Sequence, residues 1–305
     1  MGSRRTATSS HTPCRERRVD QASVDVRQAT RDDLACVMAI AEAAYKKYVE
    51  RLGRPPAPMY EDYGEAVQRG TLHVLVADGT TVGLLEVKVA DDHVYIENAA
   101  ITPTYQKRGL GVHFLMHAEA QARAAGVSEL RLHTNVRMTE NIALYQAAGF
   151  TVFDQREEDG FERVYMRKPV WDEDRFLAVL DTHHRSAMLA LFEHIQACGL
   201  DIEWSFSGAE ISFRHGDMPL PVGWAIPPGT VGWLYVTDLT LGYEEAIAQS
   251  APSLTGALEA YVERLLRVEG GTRPARPEFN GATFAPSSVI GATTAFFDAF
   301  TQLAR

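Results

Sequence analysis

The sequence predicts an α/β (α+β) protein: a mixed sheet flanked by helices, followed by a second, smaller α+β domain. Three observations carry this prediction. The 305 residues are enough chain for two packed cores, and 46% hydrophobic with 23% charged residues is ordinary for a globular protein. Strand and helix patterns alternate through residues 23–170. Residues 171–305 instead show strand alternation enclosed between helices.

The first domain is predicted over residues 23–170, and its elements follow from local patterns. Thr30 is a candidate N-cap for a helix whose apolar residues recur every three or four positions up to Tyr48. Prolines 55, 56 and 58 then break the chain. The predicted order is β-α-α-β-β-β-α-β-α-β-β, with strands at 24–27, 72–77, 81–90, 93–101, 129–134, 150–155 and 161–167 and helices at 31–48, 60–68, 109–125 and 139–148.

The second domain is predicted over residues 171–305, with the boundary at Pro169-Val170. Residues 174–198 have the pattern of one long amphipathic helix. Strand alternation follows at 202–206, 211–213, 222–226 and 231–235, and helices return at 243–268 and 288–303. The tryptophans Trp204, Trp224 and Trp233 fall at alternating strand positions, which is typical of a sheet core, although a pocket or a protomer contact would use them as well.

Charge and cysteine usage exclude several classes of protein. Residues 1–22 carry a net charge of +3 without apolar periodicity, which predicts a disordered basic tail, whereas residues 171–305 carry −9. The total of −10 argues against nucleic acid as a partner. No apolar run approaches the roughly 18 residues of a membrane span, and no secretory signal follows the basic N-terminus. Three scattered cysteines without a Cys-x-x-Cys pair suit a reducing cytoplasm.

The most informative stretch is Gln106-Lys107-Arg108-Gly109-Leu110-Gly111, where a strand ends and a helix begins. The first amides of a helix lack internal partners, and glycine lets a ligand approach them closely. Together with the helix dipole and two cationic side chains, this predicts a phosphate or pyrophosphate site. The Gly-Lys-Ser/Thr of a P-loop and the third glycine of a dinucleotide fingerprint are missing. By themselves the glycines are equally compatible with a tight strand–helix connection.

The same stretch resembles the acyl-CoA signature of the GNAT superfamily of N-acetyltransferases, Gln/Arg-x-x-Gly-x-Gly/Ala. A second hallmark of that superfamily matches Asn141-Ile142-Ala143-Leu144-Tyr145-Gln146-Ala147-Ala148-Gly149-Phe150. The predicted order of elements is also that of the superfamily, so the resemblance implies a GNAT-type mixed sheet. It covers residues 23–168 and says nothing about residues 171–305.

The resemblance implies roles for particular residues. Main-chain amides would hold the pyrophosphate of coenzyme A at Gln106, Lys107, Arg108, Gly109, Leu110, Gly111 and Val112. The pantetheine arm would lie along Ala99–Ile101, where a bulge splays two parallel strands apart. Asn141 would bind the pantetheine and Tyr145, one helical turn later, would serve the thioester sulfur as an acid. Full proton transfer from a tyrosine to the thiolate would run uphill by about 2 kcal/mol, which favours a hydrogen-bond donor.

The catalytic base is assigned to Glu97, near the middle of the strand before the signature, because GNAT enzymes that use a carboxylate often draw it from this strand. Alternatively, Glu97 is a salt-bridged or substrate-facing acid, and Glu86 is a weaker candidate for the base. No cysteine lies near the motifs, which favours direct transfer in a ternary complex. His113 and His117 have metal-ligand spacing, but further ligands are missing and we expect no metal.

The acceptor pocket is predicted around the loop between the first two helices, at Tyr45, Tyr48, Met59 and Tyr60. An aromatic, proline-stiffened loop with Glu61 and Asp62 would suit a cationic or aromatic amine, although the tyrosines could equally just pack the helix. The sequence thus predicts an acetyl-CoA-dependent N-acetyltransferase acting on a small-molecule primary amine, as a monomer or homodimer. The alternatives are a protein N-terminal or lysine acetyltransferase and a non-catalytic acyl-CoA-binding protein.

Overall fold

A computed structural model describes residues 24–205, 207–216, 218–228, 238–274 and 278–304. It contains a seven-stranded mixed sheet formed by residues 24–169 and a six-stranded antiparallel sheet formed by residues 201–284. Helices flank the first sheet and pack on the second. The predicted fold class, a mixed sheet flanked by helices followed by a second α+β unit, is therefore confirmed.

The elements of the first sheet follow the predicted order. They are β1 Val24–Gln28, α1 Leu34–Leu52, α2 Tyr63–Arg69, β2 Leu72–Ala77, β3 Thr80–Val89, β4 Val94–Ile101, α3 Gly111–Ala125, β5 Glu129–Asn135, α4 Thr139–Ala147, β6 Thr151–Glu158 and β7 Phe161–Pro169. The second helix begins at Tyr63 rather than at residue 60 because Asp62 caps it, accepting hydrogen bonds from the amides of Gly64 and Glu65.

The sheet buries apolar side chains on both faces. The strand order is β1-β2-β3-β4-β5-β7-β6, and all neighbours are antiparallel except β4 and β5. One face packs against α3 through residues such as Leu75, Leu130 and Met166, and the other packs against α1 and α2 through Val74 and Leu84. This two-sided burial explains why the central strands β2 and β3 carry nearly continuous apolar runs.

A bulge and a split between strands break the regularity of this sheet at one place. On β4, Asn98 pairs with Glu86 and Ile96 pairs with Val87, so Glu97 is an extra residue without a partner on β3. The parallel pairing of β4 with β5 ends at Ile96 and Leu132. The two strands therefore part directly after Ile96, so the bulge and the separation begin before Ala99–Ile101, the stretch at which the resemblance led us to expect them.

The second sheet has the strand order β12-β13-β11-β10-β9-β8 and packs one face against helices. Its region comprises α5 Glu173–Ala178, α6 Thr182–Ala197, β8 Asp201–Ser205, β9 Gly208–His215, β10 Met218–Ala225, β11 Leu239–Glu244, α7 Glu245–Ser250, α8 Thr255–Leu265, β12 Gly271–Thr272, β13 Phe279–Phe284 and α9 Pro286–Leu303. Strands β11, β12 and β13 were absent from the sequence-based prediction.

The long helix predicted over residues 174–198 is wrong, because the structure has two helices there. Asp181 caps the second one, accepting hydrogen bonds from the amides of His183 and His184. At the interruption, the Arg185 guanidinium donates to the carbonyls of Leu177, Ala178 and Leu180. The apolar periodicity continues across the break because both helices bury their apolar faces in the same core.

Several predictions concern residues outside the described ranges: the basic tail at 1–22, the strand position Phe206, and the strand at 231–235 with Trp233. Trp204 packs against Phe176 and Phe192, with ring centroids 5.5 and 5.8 Å apart, as expected for a core residue. The indole of Trp224 instead donates to Glu210 at 3.1 Å. Among the described residues, no helix combines the length and apolarity needed to cross a bilayer.

Candidate functional site

A pocket opens where β4 and β5 separate. Its walls come from the end of α1 and the loop after it, from β4, from β5, from α4 and from the start of β7. The residues that line it are Tyr45, Leu52, Pro56, Ala57, Pro58, Ile96, Glu97, Asn98, Ala99, His133, Thr134, Asn135, Met138, Asn141, Tyr145, Phe161 and Arg163. Of the residues predicted from sequence, the pocket brings together Tyr45, Glu97, Ala99, Asn141 and Tyr145.

The bulge decides which side chains of β4 reach this pocket. Ile96 packs on the α3 side of the sheet and Ala99 does so again after the bulge, whereas Asn98 turns toward α1 and α2. There the buried Asn98 side chain accepts a hydrogen bond from the Tyr45 hydroxyl at 2.7 Å and donates to Tyr63 at 2.8 Å. These two hydrogen bonds therefore connect β4, which forms one wall of the pocket, to α1 and to α2.

Glu97, the predicted base, faces the pocket with its side chain 27% exposed, and its carboxylate accepts a hydrogen bond from Lys88 Nζ at 2.9 Å. Glu86, the weaker candidate, is fully buried outside the pocket lining, and Thr71 donates to it at 3.2 Å. Glu61 lies near both carboxylates, and its pKa is raised by burial and by their negative charges.

Asn141 and Tyr145 lie on one face of α4, as their spacing predicts, and both line the pocket. The Tyr48 hydroxyl donates to the side-chain oxygen of Asn141 at 3.0 Å, which leaves the amide NH2 group directed elsewhere, with Met138 Sδ 3.7 Å away. Burial raises the pKa of Tyr145 to about 12, and the nearby Tyr48 adds to this effect. Tyr145 is therefore a protonated hydrogen-bond donor at neutral pH.

His133 is a pocket residue that the sequence analysis missed. It lies on β5, and its Nδ1 is 2.6 Å from the hydroxyl of Tyr95 on β4. Burial lowers the pKa of His133, and the positive charge of Arg163 lowers it further, so the imidazole is neutral at pH 7. Its position on β5 could have marked it as a pocket residue, because β5 adjoins β4, the strand that leads into the glycine-rich turn. Its contact with Tyr95 spans 38 residues, however, and is visible only in the folded structure.

The turn between β4 and α3 contains the glycine-rich signature. The amides of Gln106 and Val112 donate to Pro103 and Gly109 within the turn, at 3.3 and 3.1 Å. Within the described part of the chain, the main-chain N–H groups of residues 107–111 have no hydrogen-bond acceptor. Lys107 and Gly109 adopt positive φ angles of 62° and 78°, and α3 has no acidic residue in its first turn. The turn therefore presents a run of amides and an uncompensated helix dipole.

Two side chains hold this turn in place. Gln106 Nε2 donates to the carbonyl of Ile101 at 2.8 Å, which ties the turn to the end of β4. Arg108 donates to the carbonyl of Thr104 at 2.8 Å and lies over the ring of Tyr105. The main-chain amides of the turn are therefore held in place before any ligand binds.

Of the four residues predicted to line an acceptor pocket, one lines the pocket in the structure and three do not. Tyr45 lines the pocket, whereas Tyr48 is 2% exposed and contacts Asn141 instead. Met59 is not part of the lining, and Tyr60 is 66% exposed to solvent. The pocket near Tyr45 is lined instead by the neighbouring residues Leu52, Pro56, Ala57 and Pro58, with Phe161 and Arg163 also in the lining.

His113 and His117 have metal-ligand spacing in the sequence, and both lie on α3. The ring of His117 lies 4.3 Å from that of His73 on β2, and both approach the side-chain amide of Gln121. Within the described ranges, no three His, Cys, Asp or Glu side chains are grouped so as to hold a metal ion.

One part of the chain is similar to a known protein family. Residues 37–150 match the model of the Acetyltransferase (GNAT) family. No curated protein matches the chain.

Solved structures of acetyltransferases align with the chain over about half its length. The PaiA N-acetyltransferase of Thermoplasma acidophilum, in complex with coenzyme A, is 18% identical, and the match covers 47% of this chain and 98% of that one with a TM-score of 0.39. The ribosomal-protein-S18-alanine N-acetyltransferase of Escherichia coli is 23% identical over 49% and 96%, with a TM-score of 0.40. Arabidopsis thaliana Naa50, in complex with a bisubstrate analogue, is 18% identical over 48% and 98%, with a TM-score of 0.39.

Proposed function

We propose that this chain, whose residues 37–150 form a domain of the acetyltransferase (GNAT) family, transfers an acetyl group from acetyl-CoA to the primary amine of a small molecule. The observation that carries the proposal is the separation of β4 from β5 at the Glu97 bulge, which opens a slot into a pocket shared by Glu97, Asn141 and Tyr145. Direct transfer needs both substrates in one pocket, so that most of the rate arises from holding them together.

The acetyl-CoA site would extend from the turn to this slot. The free amides of residues 107–111, with the charges of Lys107 and Arg108, suit a diphosphate. Beyond the bulge, β4 no longer pairs with β5, so the main chain around Ala99–Ile101 can pair with the amides of a pantetheine arm. The Asn141 amide NH2, oriented by Tyr48, can donate to the same arm.

Tyr145 would stabilise the departing sulfur by donating a hydrogen bond. With a pKa of about 12 against about 8.5 for a thiol, complete proton transfer to the thiolate would run uphill by roughly 5 kcal/mol. We therefore propose that Tyr145 keeps its proton through the bond-breaking step and that the thiolate is protonated later by solvent.

The acceptor amine must lose a proton before or during its attack on the acetyl carbonyl, and we propose Glu97 as the base. Lys88 holds the Glu97 carboxylate through a 2.9 Å hydrogen bond at the edge of the pocket. His133 is a second candidate, because it is neutral at pH 7 and its Nε2 is not engaged by Tyr95. Replacing each residue separately, as Glu97→Gln and His133→Asn, assigns the role to the one whose loss removes the acidic limb of the pH–rate profile.

Thiol release from acetyl-CoA, measured against a panel of small amines and short peptides, tests the function. We expect turnover with a small amine, and a loss of about 100-fold in kcat for Tyr145→Phe with little change in coenzyme A affinity. Tight binding of coenzyme A without turnover on any acceptor would favour a non-catalytic acyl-CoA-binding protein. Preference for peptides would favour a protein acetyltransferase.

Calorimetry with coenzyme A tests the cofactor site separately. Gly111→Glu places a carboxylate at the N-terminus of α3, where a Cβ meets no atom within 4 Å, and should abolish binding by charge repulsion rather than by a clash. Gly256→Glu is the matched control, because a Cβ there also meets nothing within 4 Å. Unchanged affinity in Gly111→Glu would refute the assignment of the turn.

A further inference from the structure

The acceptor end of the pocket lies between two segments that are distant in sequence. One is the loop after α1, which contributes Pro56, Ala57 and Pro58 to the lining. The other is the start of β7, which contributes Phe161 and Arg163. Any acceptor reaching the slot between β4 and β5 must fit between these two walls.

Arg54 joins the two walls. It follows the C-cap Gly53 of α1, and its Nη2 donates to the main-chain carbonyl of Asp159 at 2.6 Å. Its guanidinium carbon also lies 3.5 Å from the centroid of the Phe161 ring, within the range of a cation–π contact. One side chain of the loop thus contacts both the β6–β7 turn and a residue of the opposite wall.

The β6–β7 turn is shaped for this contact. Asp159 and Gly160 both have positive φ angles, 54° and 71°, which brings the Asp159 carbonyl toward the loop. A Cβ at Gly160 would lie 3.2 Å from Arg54 Nη2, so the close approach of the guanidinium depends on glycine at this position. Arg163 reinforces the turn by ion pairs with Glu158 and Asp159 at 2.7 and 3.2 Å.

The loop is anchored as well. The carbonyl of Pro58 accepts a hydrogen bond from the Tyr63 hydroxyl at 2.7 Å, and Asn98 on β4 donates to the same hydroxyl. Prolines 55, 56 and 58 further restrict the backbone. Arg54 therefore links two segments that are each attached to the sheet, and we call this link the Arg54 clamp.

We infer that the Arg54 clamp closes the acceptor end of the pocket and limits the acceptor to a compact primary amine with an apolar or aromatic body. This inference rests on the proposed acetyltransferase function. Leu52, the prolines and Phe161 offer apolar surface, and the Arg163 charge is balanced by its two carboxylates. A polypeptide acceptor would have to leave the pocket between the loop and the turn, through the space that the clamp bridges.

The test compares phenethylamine with a short peptide bearing a free N-terminus, using the full chain and acetyl-CoA. Arg54→Gln removes the guanidinium from the clamp. Arg156→Gln is the matched control, because Arg156 also lies over an aromatic ring, Tyr165, and pairs with Asp154 on the same hairpin, but it does not reach the loop. Neither arginine lines the pocket.

We expect the unaltered protein to prefer phenethylamine over the peptide by at least tenfold in kcat/KM. Arg54→Gln should reduce that preference about tenfold by raising the value for the peptide, while Arg156→Gln and coenzyme A affinity stay within about twofold. Equal use of both acceptors by the unaltered protein, or an unchanged preference in Arg54→Gln, would overturn the inference.

Hydrogen exchange separates failure of the clamp from failure of the proposed function. Arg54→Gln should increase exchange of residues 53–60 and 158–162, and Arg156→Gln should not alter exchange of residues 53–60. If no variant acetylates any acceptor, the proposed function is refuted. The inference about acceptor size is then refuted as well, whatever the hydrogen-exchange result. If an amine is acetylated but exchange of both segments is unaffected, the clamp alone is refuted.

Discussion

The stability of the unit built on the seven-stranded sheet should fall as the pH is lowered below neutrality, because of a buried pair of histidines. His73 on β2 is 7% exposed, and its ring centroid lies 4.3 Å from that of His117 on α3. The side-chain amide nitrogen of Gln121 lies 3.2 and 2.9 Å from the Nε2 atoms of the two rings. An NH2 group can donate to both imidazoles only while each Nε2 is unprotonated.

The magnitude follows from the pKa of His73, which burial and the neighbouring His117 lower from 6.5 to about 4. The pKa of His117 is lowered as well, by burial, with Asp25 opposing the shift. Because the folded pKa is the lower one, the unfolded chain binds more protons between pH 6.5 and about 4. The stabilisation is complete above pH 6.5 and is lost progressively below it; for His73 it totals about 3 kcal/mol, of which about 2 kcal/mol disappears by pH 5.

The assay is thermal unfolding followed by far-ultraviolet circular dichroism at about pH 7 and about pH 5. For a unit of about 150 residues, 2 kcal/mol corresponds to a shift of roughly 4–8 °C. His73→Leu should lower the melting temperature at pH 7 and reduce its pH dependence by that amount. His215→Leu, at an exposed position in the second sheet, is the control. If His73→Leu retained the full pH dependence of the unaltered protein, the reasoning would be refuted.

Three further predictions concern single contacts. Tyr48→Phe removes the hydrogen bond that orients Asn141 and should raise the Kd for coenzyme A about fivefold in calorimetry; an unchanged Kd would mean that the amide needs no orientation. Glu119→Leu removes the carboxylate 3.0 Å from the buried Lys168 ammonium and should cost about 3–5 kcal/mol in urea unfolding, whereas adding Lys168→Met should recover at least half; no recovery would exclude the loss of this ion pair as the cause. Gly109→Ala forces a side chain onto a φ of 78° and should cost about 1 kcal/mol by the same assay, and an unaltered stability would show that the turn relaxes.

Much of the first domain could be predicted from sequence because the patterns that define its strands and helices each lie within a short stretch of residues. Period-two and period-3.6 patterns identify its strands and helices, and caps such as Asp62 correct only the ends of elements. The signature turn and the pair Asn141 and Tyr145 are local as well, since each is a spacing within one loop or one helix face.

The second domain was predicted less well because its apolar periodicity does not show where one element ends and the next begins. A cap at Asp181 divides a continuous apolar stripe into two helices, and the stripe itself does not reveal the break. Strand β11 ends next to α7, so its pattern merges with that of the helix, and β13 contains Asn280 and Gly281, which are poor strand formers.

The amino-acid order alone determined the succession of elements in residues 24–169, the bare amides of the turn and the two polar positions on α4, because each depends on residues a few positions apart. Only the tertiary structure decided that Tyr48 reaches Asn141, that His133 meets Tyr95, and that Arg54 closes on Phe161. These partners are separated by dozens of residues, and their contacts depend on the register of the sheet. The bulge at Glu97 is the clearest case, since one extra residue turns every later side chain of β4 to the opposite face.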